Sequence, residues 1–376
     1  MTMNNDIVPF SAHHANRIEI LREVKDRTHR RIFGYFCSQI PEEILYAAGI
    51  LPVRMLGNNE SCEQADSLLQ TYVCSFSRNC LAMMLNGDYK FLDGMVVPHT
   101  CDTIRGVFGI IQENIPLSFN AFIRLPISPD TRLSQELILE EYKILSRNIG
   151  RYTGSEIREE DLKNSILIYN SNRRLLKQLS PFRTSENRKL TGAEFLEVCL
   201  AGFSMDKEEH NKMLAGLLEQ LRDREPSPPG KVKVLVGGNV LDNAALVKII
   251  EDLGADVVYD DLCTGTRYFD ELVDEQISDP MEALVEHYVR RTVCPCKTEG
   301  RKRTRHLVRL FKESHARGII LLQQKFCDPH LWDHPLMKMQ MDKEGIPLQL
   351  IEYEQPIGHL DVIKNRVQSF IEMLGG

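Results

Sequence analysis

The chain alternates two hydrophobic rhythms. Short, nearly continuous apolar runs bounded by turn residues read as buried strands: ILPVRML, LDGMVV and PLSFNAFIRL early, then VKVLVGG, DVVYDD, GIILLQQ and PLQLIEY late. Between the early runs, Ser77 to Leu85 and Ile104 to Gln112 carry helical spacing. PEEILYAAG (Pro41 to Gly49) has proline at its start, acids in its first turn and glycine at its stop, which predicts a short helix. Residues 17–36 alternate basic and apolar positions and predict one amphipathic helix. Strand and helix alternation predicts βαβ units and parallel sheets.

From Ser134 to Arg224 the rhythm changes. SQELILEEYKILSRNIGRYTG, REEDLKNSILIYNSNRRLLKQL, TGAEFLEVCLAGF and DKEEHNKMLAGLLEQLRDR repeat apolar residues at i, i+3 and i+4 with acids near their starts, predicting helices. EPSPPGK (Glu225 to Lys231) punctuates the chain before strands resume. The expected division is an N-terminal α/β domain over 1–128, a helical segment over 129–228 and a C-terminal α/β domain over 229–376. No internal repeat or low-complexity tract interrupts this plan.

Charge narrows the partners. Lys and Arg number 46 against 53 Asp and Glu, a net −7, so no overall cationic field favours nucleic acid or anionic lipid. No apolar run approaches the roughly 20 residues of a membrane helix, and MTMNNDIVPFSAHH lacks a basic stretch followed by an apolar one. The expectation is a cytoplasmic protein that binds neither nucleic acid nor membrane. Its ten cysteines, in a reducing compartment, are then free thiols rather than a disulfide framework.

Position separates these thiols. Cys101 in VVPHTCD, Cys263 in VVYDDLC and Cys327 in LLQQKFC follow strand ends, and open α/β sheets bind ligands in the crevice outside those carboxyl ends. Soft thiolates select zinc, copper(I) or iron–sulfur clusters. Dispersed single cysteines suit a cluster assembled between domains better than a zinc knuckle, which draws on close pairs. The one close pair is Cys294-Pro295-Cys296. Cys62, Cys80 and Cys199 fall in helical patterns and read as packing residues. Asp102 and Asp328 directly follow two of the strand-end cysteines and read as caps of the next helix.

IPEEILYAAGILPVRMLG, YVCSFSRNCL, YKFLDGMVVPHTCDTIR, DDLCTGTRYF, GIILLQQKFCDP and GIPLQLIEYE resemble, in order and spacing, iron–sulfur subunits of the 2-hydroxyacyl-CoA dehydratase and benzoyl-CoA reductase family, from about Phe33 to Phe370. The resemblance implies two flavodoxin-like parallel-sheet domains with a helical segment between them. It implies that Cys74, Cys101 and Cys327 hold a [4Fe-4S] cluster that takes a low-potential electron from a separate ATP-hydrolysing activator and passes it to an acyl-CoA thioester, giving a ketyl radical. The chain itself has no G-x-x-x-x-G-K-[ST] loop, and VGGNVLDN matches neither that nor G-x-G-x-x-G, so ATP work falls to a partner.

A related branch carries a double-cubane [8Fe-9S] cluster and reduces small molecules with an ATP-dependent reductase. Cys37, Cys263 and one of Cys294 or Cys296 are the thiols a second cubane would take. Dehydratase relatives pair with a second family subunit, whereas the double-cubane branch forms homodimers. A third, non-enzymatic expectation is a zinc-stabilised binding module. KTEGRKRTRH (Lys297 to His306) reads as a solvated helix start, with CoA phosphates or the activator as its functional alternative. His99, beside Cys101, reads as a surface or supporting residue, while no role attaches to Glu42 or Glu43. The tail GHLDVIKNRVQSF keeps Arg366 and Phe370 of the family ending, which predicts a terminal helix docked on the second domain.

Overall fold

The computed structural model describes residues 4–184, 188–230, 232–291 and 294–375. Lys231, the last residue of the expected linker, lies outside them, as do residues 1–3 and 376 at the outer limits of the expected division. The first sheet is built from β1 (Ile32–Tyr35), β2 (Leu51–Arg54), β3 (Gly94–Pro98) and β4 (Phe119–Ile123). Around these strands run α1 (Val8–Ala15), α2 (Arg17–Thr28), α3 (Glu42–Ala47), α4 (Glu63–Asp66), α5 (Ser75–Asn86) and α6 (Asp102–Asn114). A run of helices follows: α7 (Arg132–Thr153), α8 (Glu159–Leu179), α9 (Pro181–Thr184), α10 (Gly192–Ala201) and α11 (Lys207–Asp223). The second sheet comprises β5 (Val232–Gly238), β6 (Ala255–Asp261), β7 (Gly318–Gln324) and β8 (Leu348–Tyr353). Its helices are α12 (Ala245–Asp252), α13 (Thr266–Phe269), α14 (Pro280–Arg290), α15 (Gly300–Ser314), α16 (Asp328–Lys343) and α17 (Leu360–Gly375).

Both sheets are wholly parallel and share one plan. Their strand orders are β2-β1-β3-β4 and β6-β5-β7-β8, so each chain path reverses direction between its first and third strands. That order matches the first four strands of a flavodoxin-like sheet, and the reversal is the switch point where such sheets bind ligands. Every residue of β1, β3 and β7 is buried, as befits parallel strands covered by helices on both faces. The α/β expectation therefore holds. Gly238, paired with Leu322, is required at its switch point: its φ is +150°, and a Cβ there would lie 1.9 Å from the Leu322 carbonyl oxygen.

One expected helix divides. Residues 17–36 form α2 only as far as Thr28, after which His29 turns left-handed at φ 53° and Ile32–Tyr35 becomes β1, a strand paired on both sides. A short apolar run such as IFGYF carries no period of its own, and partners on both sides decide its state. The four long helices of the middle segment fall where their spacing predicts. They are shared between the sheets: α7 packs on β4 and α14, α8 on α3 and α13, and α10 on β6 and α12. The terminal helix docks as expected, with α17 against α12, β5 and β8 and Phe370 buried.

Helix α16 mixes polar and apolar residues on its buried face, which also carries Met337 and Met341. It buries His330 and Asp333 and exposes Trp332, Leu336 and Met339. The buried polar residues have partners, since Asp333 accepts from Arg303 Nε at 2.8 Å. This corrects the reading of the basic run as a solvated helix start. Lys297 is buried and donates from Nζ to the Leu125 carbonyl at 2.9 Å, and Arg303 is buried against Asp333, leaving Arg301 and Arg305 as exposed members.

Candidate metal centre

The site lies where the carboxyl ends of the two sheets face each other. Cys37 follows β1 in a left-handed conformation, φ 61°, which a non-glycine residue adopts only when its surroundings enforce it. Cys101 follows β3, Cys263 follows β6 and Cys327 follows β7. Cys74, Cys101 and Cys327 each occupy the cap position of a long helix, α5, α6 and α16. A helix start offers free N–H groups and a positive dipole end, both of which favour thiolate over thiol. Asp102 and Asp328 are therefore first-turn residues rather than caps, a one-residue correction.

Six thiols, those of Cys37, Cys74, Cys101, Cys263, Cys294 and Cys327, line a single cavity of about 730 Å³ counting its open mouth. Phe76, Ile104, Val240 and Pro329 supply apolar wall between them. Of the Cys294 and Cys296 pair only Cys294 lines the cavity. Cys62, Cys80 and Cys199 are buried elsewhere, in keeping with their packing assignment. His99 is half-buried, its ring 5.6 Å from that of Phe122, and does not line the cavity.

Hydrogen bonds and charge differ around the ring. Cys37 Sγ lies 3.2 Å from Thr100 Oγ1, and Cys74 Sγ lies 3.1 Å from Ser77 Oγ. Burial pushes the Cys37 thiol up to about 12, against the pull of its Thr100 hydrogen bond. Burial also raises Cys74, Cys101 and Cys327. Cys294 goes the other way, because hydrogen bonds from Cys296 and then His330 favour its thiolate, while Cys296 keeps the proton. A ligand thiol must lose its proton to bind metal, so this set would release protons on binding any metal centre.

Among the described residues, no group of three or more His, Cys, Asp or Glu forms a set that could hold a metal ion. Thiols arranged around a cavity rather than converging on one point suit a polynuclear centre better than a tetrahedral zinc ion. A second observation tests the fit. Gln39 Nε2, Arg54 Nε and Arg267 NH1 are buried donors without an acceptor, and all three side chains line the cavity. Buried orphan donors are costly, and a thiolate-ligated cluster with its sulfides would offer them acceptors. Cysteine spacing alone does not find these three residues. The only sequence signal for Arg54 is a charge at the carboxyl end of an apolar strand, in ILPVR.

Glu42 and Glu43, to which the sequence assigns no role, are buried structural anchors. Glu43 pairs with Arg173 at 2.5 Å and accepts from the Tyr288 hydroxyl at 3.1 Å, and Glu42 accepts from the Tyr268 hydroxyl at 3.1 Å. They tie α3, just beyond Cys37, to α8, α13 and α14.

Two parallel-sheet lobes whose switch points share one thiol-lined crevice define an α/β protein with its reactive groups at paired strand ends. The chain belongs to the 2-hydroxyglutaryl-CoA dehydratase, D-component family, whose sequence model matches residues 37–374. It is 28% identical over 354 residues to the (R)-phenyllactyl-CoA dehydratase beta subunit of Clostridium sporogenes, covering 93% of each chain. It is 25% identical to one of the subunits of the benzoyl-CoA reductase of Thauera aromatica, covering 92% of this chain and 91% of the relative. It is also 25% identical to the (R)-2-hydroxyglutaryl-CoA dehydratase beta subunit of Acidaminococcus fermentans, covering 92% and 93%. The chain is thus an enzyme component of the dehydration and reduction class, and the non-enzymatic zinc-module expectation falls. No helix among the described residues is long and apolar enough to cross a membrane.

Proposed function

We propose that this chain is the iron–sulfur subunit of a 2-hydroxyacyl-CoA dehydratase or benzoyl-CoA reductase-type enzyme, acting on an acyl-CoA. The observation that carries the reading is the ring of thiols around one cavity, fringed by buried donors with no acceptor. Cys74, Cys101 and Cys327, each at a helix start, would hold a [4Fe-4S] cluster between the lobes. When bound, such a cluster supplies single electrons at low potential. The chain's own residues hold the thiolates at dipole ends, aim Gln39, Arg54 and Arg267 at the anionic centre and exclude water with Phe76, Ile104 and Val240. Electrons come from a separate ATP-dependent activator, and a second family subunit or a second copy of the chain completes the enzyme. Reduced thiols in this number fit a cytoplasmic setting.

A specific observation favours a second reading. Cys37, Cys263 and Cys294 line the same cavity as the first three thiols, a donor set that suits a double-cubane [8Fe-9S] centre and ATP-dependent reduction of a small molecule. Iron and acid-labile sulfide are to be counted in anaerobically prepared protein alongside electron paramagnetic resonance. About four iron atoms per chain support the single cluster and about eight the double. Bound zinc without iron, or unchanged iron content in Cys327→Ala, would sink both.

A further inference from the structure

Arg54 ends β2 and is 2% exposed. Its NH1 donates to the Cys263 carbonyl at 2.7 Å and its NH2 to Cys263 Sγ at 3.4 Å, so a cation from the first sheet grips a thiol of the second. The guanidinium rests 4.7 Å from the Phe203 ring centre, and its Nε has no acceptor. Most other buried arginines are neutralised: Arg173 by Glu43, Arg183 by Asp260, Arg188 by Glu251, Arg267 by Asp261 and Arg303 by Asp333, while Arg17 and Arg291, which do not line the cavity, spend their guanidinium donors on backbone carbonyls. Among the described residues no carboxylate lies within ion-pair distance of Arg54; the polar groups its guanidinium contacts belong to Cys263. A buried cation without a counter-ion is strongly unfavourable, so the negative charge that balances Arg54 belongs inside the cavity.

We propose that Arg54 is the fixed counter-charge of the thiolate centre, a positioning residue that holds Cys263 and sets the reduction potential of the cluster. This rests on the iron–sulfur reading. Reduction adds a negative charge to the centre, and a buried cation at fixed distance favours that charge. Removing the cation therefore lowers the potential, while keeping it on a different side chain keeps part of the effect. Arg's planar fork makes both contacts to Cys263, whereas Lys retains only the point charge.

The test is a redox titration followed by electron paramagnetic resonance on anaerobic wild type, Arg54→Gln and Arg54→Lys, with iron counted in each. Arg54→Gln is expected to shift the one-electron equilibrium at least tenfold toward the oxidised form, a fall of about 59 mV, with Arg54→Lys in between. Loss of iron in Arg54→Gln but not in Arg54→Lys supports the same conclusion, since charge is then what the centre needs. An unmoved potential in fully loaded Arg54→Gln, or iron lost equally from both variants, overturns it. Wild type devoid of iron overturns the iron–sulfur reading itself, a result separable from either.

Discussion

Glu197 gives the sharpest quantitative test of the energetics. It lies in α10, the helix that packs on β6 and α12 and just precedes Phe203, the ring that backs Arg54. Burial raises its carboxyl from 4.5 to about 7, against a backbone hydrogen bond from Ala244 and the charge of Arg17. A raised carboxyl pKa means the folded chain holds the proton more tightly than the unfolded one. Its favourable contribution is complete below about 4.5 and is lost as pH rises through about 7. Ionising the buried group then costs about 3 kcal/mol at pH 8 and under about 1 kcal/mol at pH 5, at 1.36 kcal/mol per unit. Glu197→Gln removes the titration while keeping the shape. Urea unfolding of the iron-free protein is therefore expected to show Glu197→Gln stabilised over wild type by about 3 kcal/mol at pH 8 and nearly level at pH 5. An equal difference at the two pH values would refute the argument.

Other sites carry further expectations. If the centre is the double cubane, Cys294→Ala is expected to lower iron content while Cys296→Ala preserves it, because only Cys294 faces the cavity; equal losses would reject that distinction. Gly238→Ala places a Cβ 1.9 Å from a backbone oxygen that cannot step aside, so soluble folded protein should be lost or destabilised by more than about 4 kcal/mol, and a normal melting curve would contradict this. Glu43→Ala strands the Arg173 guanidinium and should cost about 3 to 5 kcal/mol in urea unfolding; a loss below about 1 kcal/mol would mean water reaches the site. Iron-free protein is expected to lose stability as pH climbs from near 9 toward about 12, since the unfolded chain sheds the Cys37 proton first. Where Cys37 ligates a second cubane, its proton is already gone in iron-loaded protein, which is then expected to melt without that decline, whereas a single cluster on Cys74, Cys101 and Cys327 leaves it in place.

The strands and long helices are legible because their rhythm is local. Seven apolar runs and four helical segments match observed elements, and the parallel βαβ plan follows from their alternation. Strand-end position also singles out Cys101, Cys263 and Cys327 from the sequence, because sheets of this kind open at their carboxyl ends. What fails is decided by partners elsewhere in the chain. IFGYF is too short to declare its own period, and α16 faces its polar residues inward because Arg303 and Cys294, distant in sequence, meet them there.

Composition and spacing alone determined that this chain folds as two α/β lobes with unpaired thiols at strand ends. Only the tertiary structure decided which thiols share a cavity, that Cys294 rather than Cys296 faces it and that Arg54 stands in it without a carboxylate. The physical reason is range. Hydrophobic period and turn chemistry act over a few residues, whereas the charge balance of a buried site is set by groups some two hundred positions apart, as Arg54 and Cys263 are.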